Sequence, residues 1–104
     1  MAQTLSGANY PEALRFTLGS SNVQTQLNVP NSASTLSVRF MSNGGNVAFT
    51  GSDGGSLGSA YVTLDADSWA EISLADGIGK SKGVTAVYLS SSTASTVVEC
   101  MVEG

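Results

Sequence analysis

Apolar residues alternate with polar ones along most of this chain, at the two-residue period of a β-strand with one buried face. Leu36, Val38 and Phe40 form a clear run of this kind. The same pattern recurs in five other segments, 23–29, 47–49, 60–64, 70–74 and 98–102. Two further runs rich in apolar and β-branched residues, 13–18 and 84–90, bring the expected number of strands to about eight.

Turn-forming residues separate these runs, and the strongest turn signal is Asn43-Gly44. Both residues tolerate positive φ angles, so the pair predicts a tight hairpin that joins the strands around Phe40 and Phe49. No segment shows helical spacing of apolar residues over three turns. The pattern therefore predicts an all-β fold, a single antiparallel β-sandwich of jelly-roll or Greek-key type.

A length of 104 residues indicates one domain. Residues 1–11 carry little pattern, and we expect them to form an N-terminal arm that is frayed or tied to a neighbouring subunit. Residues 12–104 are then the β-sandwich domain.

The composition argues against catalysis. The chain has no histidine, one cysteine and 12% charged residues, and about a quarter of it is Ser or Thr. Histidine is the side chain that titrates near neutral pH and the commonest metal ligand. We therefore expect no enzyme activity and assign no catalytic, cofactor-binding or metal-binding residue.

Three local motifs have a chemical interpretation, and a structural one is favoured for each. Gly79-Lys80-Ser81 matches the end of a phosphate-binding loop, but Leu74 stands where that loop needs glycine. Asp65 and Asp67 have the spacing of paired carboxylates, yet aspartate before Trp69 also suits a turn. Cys100 has no histidine to activate it and shares its face with two valines, which predicts a small core residue.

The charges are few and scattered. Arg15, Arg39, Lys80 and Lys82 are the basic residues, against eight acidic ones, for a net charge of -4. No basic stripe exists for a phosphate backbone, so nucleic acid is not an expected partner. The N-terminus has no signal-peptide pattern and no apolar run is long enough to span a bilayer, so we expect synthesis in a cytoplasm and no membrane contact.

Trp69 is the most informative aromatic residue. It shares strand parity with Glu71 and Ser73, which predicts an outward-facing ring, exposed or covered by a partner subunit; the alternative is that it caps one end of the sandwich. Together with Tyr61, Tyr88 and Phe49 it also has the composition of a sugar-stacking platform.

The second half of the chain resembles small virion proteins of tailed bacteriophages. In these a "threonine-leucine, small turn, bulky residue" strand precedes a "tyrosine-leucine-serine-serine" strand, and a valine-rich strand closes the chain. The matching segments are 58–72 and 87–99, and the runs 27–30 and 38–40 are compatible with them.

This resemblance implies a head decoration or cement protein that binds between major capsid protein subunits. Its expected partners are the major capsid protein and copies of itself in a homotrimer, and its expected location is the virion head surface after assembly in the host cytoplasm. The resemblance implies no cofactor, and a small-molecule ligand is not expected. The alternative is a carbohydrate-binding or tail-associated β-sandwich module of a phage virion.

Overall fold

Nine β-strands make up the protein in a computed structural model that describes residues 2–74 and 86–104. The strands are β1 (Gln3–Thr4), β2 (Glu12–Thr17), β3 (Thr25–Asn28), β4 (Thr35–Met41), β5 (Gly45–Ala48), β6 (Val62–Leu64), β7 (Ala70–Ser73), β8 (Ala86–Ser90) and β9 (Val97–Glu103). The all-β prediction is confirmed. Gly79-Lys80-Ser81 lies outside the described residues, as do Lys82 and the first part of the run 84–90.

The strands form two sheets that pack face to face. One has the order β1-β3-β8-β5-β6 and the other the order β2-β9-β4-β7. The pairs β2·β9, β3·β8, β4·β7 and β5·β6 are all antiparallel, so the chain behaves as one long hairpin folded back on itself. Rolling that hairpin brings β9 beside β4 and β8 beside β5. Two sheets connected in this way are a jelly roll.

The core lies between the sheets and is built by the alternation seen in the sequence. In β4 the side chains of Leu36, Val38 and Phe40 are fully buried, while the residues between them are only half-buried. The inward side chains of the other strands complete one cluster, which includes Phe16, Leu27, Val47, Val87, Leu89, Val98, Cys100 and Val102. Apolar burial of this extent is the main stabilising term of a domain of this size.

The predicted hairpin at Asn43-Gly44 is wrong. The strands on either side of it belong to different sheets, because β4 pairs with β7 and β9 whereas β5 pairs with β6 and β8. Asp67 supplies the bonds that a hairpin partner would give to the end of β4: its N–H donates to Phe40 O at 2.7 Å, and its Oδ1 accepts from Ser42 N–H at 2.9 Å. The turn therefore carries the chain from one sheet to the other.

The N-terminal segment is part of the sandwich, which corrects the expectation of a frayed or partner-bound arm. Gln3 and Thr4 pair in parallel with Leu27 and Asn28, and Leu5 is buried in the core with 2% exposure. Glu12 fixes the turn that follows, because its carboxylate accepts from the N–H groups of Ser6 and Gly7. This segment closes the side of the sandwich where β1 and β2 lie at the sheet edges.

Candidate interaction surface

On the opposite side of the sandwich, where β6 and β7 lie, apolar side chains on the core-facing side of their strands are exposed to solvent. β6 and β7 are the terminal strands of their sheets, and both are short. Val62 lies in register with Val47, yet Val47 is 2% exposed and Val62 is 54% exposed. Burial is therefore lost at Val62 within a single strand spacing, although Leu64 on the same strand still packs against the core.

A groove of about 300 Å³ follows this edge. Apolar side chains form nearly all of its wall, and Glu71 is the charged residue among them; the lining is Val47, Phe49, Val62, Leu64, Ala70, Glu71 and Ile72. We call it the open-edge groove. Phe49 is 46% exposed, so two large apolar side chains of the groove face solvent in the isolated chain. Covering two half-exposed side chains of this size is worth about 1 kcal/mol each.

The outer face of the four-stranded sheet carries a row of three aligned charged residues, with Trp69 next to it. Arg15 on β2, Glu99 on β9 and Arg39 on β4 lie side by side in register. Arg39 forms an ion pair with Glu99, and Arg15 Nη1 lies 3.3 Å from Glu99 Oε2. The guanidinium of Arg39 also lies over the ring of Trp69, 4.6 Å from its centroid. The hydrogen bond from Arg39 lowers the pKa of Glu99, so this carboxylate stays ionised at neutral pH.

The prediction that Trp69 faces outward is confirmed. Its residue exposure is 50%, and Glu71 and Ser73, which share its parity, are also exposed. Trp69 borders a shallow depression of about 440 Å³ on the outer face, here called the outer-face depression; the other residues that line it are Ala13, Leu14, Arg15, Glu99, Cys100 and Met101.

The four aromatic residues of the predicted sugar platform do not form one surface. Tyr61 precedes β6 and has the parity of Thr63, whose side chain bonds Asn46 on the outer face of the five-stranded sheet. Tyr88 lies on β8 in that same sheet. Phe49 belongs to the open-edge groove. Trp69 alone of the four lines the outer-face depression.

Asp67, Asp53 and Cys100 have structural roles. Asp67 makes the turn contacts described above, which confirms its interpretation as a turn residue. Asp53 Oδ1 accepts from Gln26 N–H at 3.0 Å and so ties the long β5–β6 loop to β3. Cys100 is 2% exposed, as predicted for a core residue, and burial raises the pKa of its thiol to about 12. Residues 2–74 and 86–104 contain no group of three His, Cys, Asp or Glu side chains able to hold a metal ion.

Within the same residues, no helix has the length and apolar character that crossing a membrane requires. No protein-family model, curated protein or solved structure matches this chain. The function must therefore be argued from the two surfaces themselves.

Sequence reasoning missed the open-edge groove. Val62 and Leu64 carry the ordinary alternation of a half-buried strand. Nothing in that pattern indicates that Val62 is half exposed while Leu64 packs against the core. The short apolar run 47–49, which precedes the loop that begins at Gly51, predicted a strand and no more. The exposure of Phe49 depends on how the two sheets are aligned.

Proposed function

We propose that this protein is a structural component of a tailed-phage virion, a decoration or cement protein that binds between major capsid protein subunits on the head. One observation carries the proposal: the open-edge groove exposes the core-facing residues Phe49 and Val62 beside β6, the last strand of its sheet among the described residues. A jelly roll that leaves core-facing apolar side chains exposed suits a protein whose sandwich is completed by a neighbour.

The groove suits an extended segment of the partner. Within the described part of the chain β6 pairs with β5 alone, so a β-strand can add to its other side, and the apolar wall beside it accepts alternate side chains. Glu71 on the wall favours a segment that also carries a basic residue. Single contacts of this kind are weak, but a symmetric shell repeats them many times.

The test is co-sedimentation of the purified protein with capsid shells of the encoding phage. We expect the double variant Phe49→Ser, Val62→Ser to bind about 30-fold more weakly or worse, because it removes about 2 kcal/mol or more of apolar contact. Tyr61→Ser is the matched control, since Tyr61 is 43% exposed and lies outside the groove. Equal binding by the double variant would show that the groove is not the docking surface.

Absence of binding by the unaltered protein would refute the decoration function itself. Electron microscopy of the particle then separates the alternatives, because decoration proteins occur in hundreds of copies and tail components in few. The proposed homotrimer is tested by native mass spectrometry, where a monomer at micromolar concentration would contradict it.

A further inference from the structure

The outer-face depression combines a flat aromatic surface with hydrogen-bonding groups. Trp69 is half exposed although one face of its ring lies against the guanidinium of Arg39. The rest of the residue's surface stays accessible to solvent where it lines the depression. Because Arg39 is itself held by Glu99, its contact with Trp69 restrains the ring, which lowers the entropic cost of stacking on it.

Arg15 provides polar recognition at the other end of the depression. Its side chain is 66% exposed, and its contact with Glu99 engages one nitrogen of a guanidinium that has five N–H donors. Glu99 forms ion pairs with both Arg15 and Arg39, so the row contains two cations and one anion. Glu71 lies on the same face of the sheet but lines the open-edge groove instead of the depression. An exposed guanidinium with only one nitrogen in contact with Glu99 favours a ligand carboxylate, which it binds with two parallel hydrogen bonds.

The geometry sets the size and shape of the ligand. β9 and β4 lie between the strand of Arg15 and that of Trp69, so the two residues are three strand spacings apart, about 14 Å at the backbone. The lining also includes the small side chain of Ala13, next to Arg15 on β2, and the half-buried Met101 on β9. A shallow depression that an aromatic ring and a guanidinium both line fits flat sugar rings better than one side chain, which would need an enclosed pocket.

We propose that the outer-face depression binds an acidic oligosaccharide of two or more units, with one sugar ring stacked on Trp69 and a carboxylate of the chain paired with Arg15. This activity is independent of the groove and of the decoration function. The ligand binds the outer face of the four-stranded sheet and not the open-edge groove.

The test is a titration with trigalacturonate, with its fully methyl-esterified form as the uncharged comparison. Trp69 is the single tryptophan of the chain, so fluorescence excited at its absorption edge reports on this site alone. We expect saturable quenching with a Kd of about 1 mM at low salt, and at least about tenfold weaker binding of the ester. Arg15→Lys keeps the charge but loses the paired geometry, and we expect it to weaken binding of the acid about fivefold.

Two controls separate local from general effects. Glu71→Gln removes a negative charge from the same face, and Tyr61→Ala removes an exposed aromatic ring from the other sheet; neither should change the Kd by more than about twofold. Trp69→Ala, measured by calorimetry with circular dichroism to verify the fold, should abolish binding. The proposal is overturned by an absence of saturable quenching, by equal affinity for acid and ester, or by retained binding in Trp69→Ala.

Discussion

The contact between Phe40 and Gly45 yields a sharp prediction about stability. Phe40 is fully buried at the end of β4, and its ring covers the backbone of Gly45 at the start of β5. A Cβ added to Gly45 would lie closer than 3.0 Å to three carbons of that ring. The ring would have to retreat by roughly 1 Å into a core that is packed on every side.

Overpacking of this kind costs about 1–3 kcal/mol, and Gly→Ala returns a few tenths by restricting the unfolded chain. We therefore expect Gly45→Ala to lower the free energy of unfolding by about 2 kcal/mol. For a domain of this length that corresponds to a fall in Tm of about 10 °C. Urea unfolding followed by circular dichroism measures the change directly.

Gly19→Ala is the matched control, because a Cβ there meets no atom within 4 Å, and we expect a change within about 0.5 kcal/mol. A double-mutant cycle with Phe40→Leu identifies the cause. In the Phe40→Leu background, Gly45→Ala should cost at least about 1 kcal/mol less than in the unaltered protein. Equal costs in the two backgrounds, or a Gly45→Ala variant as stable as Gly19→Ala, would refute the packing argument.

Three further predictions concern other parts of the fold. Leu5→Ala should destabilise the protein by about 2–3 kcal/mol in urea unfolding, because its side chain is buried, whereas a frayed N-terminus would give no change. The folded-state pKa of Glu99 is depressed by Arg39, so its stabilising contribution is present above the unfolded pKa near 4.5 and is lost as the pH falls through the folded value. Urea midpoints compared at pH 7 and pH 3 should thus fall less in Glu99→Gln than in the unaltered protein, and an identical fall would contradict this. The thiol of Cys100, whose pKa burial raises to about 12, should not react with a thiol-specific disulfide reagent at pH 8 until denaturant unfolds the chain, and rapid labelling of the native protein would show that it is accessible.

Strands β2 to β9 were predictable because each turns apolar residues toward the core, whereas β1 lies in a polar segment without periodicity. In β4 the alternation of Leu36, Val38 and Phe40 with polar residues matches the alternation of buried and half-buried side chains. The outward position of Trp69 followed from the same parity. Cys100 was assigned to the core for the same reason.

The connections between strands were not predictable from that pattern. A period of two gives the faces of a strand but not the sheet to which it belongs, and Asn43-Gly44 suits a crossing between sheets as well as a hairpin. The outcome depends on Asp67, which is distant in sequence. Leu5 is likewise a single apolar residue in a polar segment, so no periodicity marks it as part of the core.

The row of Arg15, Glu99 and Arg39 has a consequence for when a partner can recognise the protein. Its members come from β2, β9 and β4, and β9 joins the other two strands although it is the last of the nine in sequence. Contacts this distant form late, since the intervening loop must first be closed. A nascent or misfolded molecule therefore lacks the charged row. A ligand that binds the row selects only molecules in which β9 has joined β2 and β4.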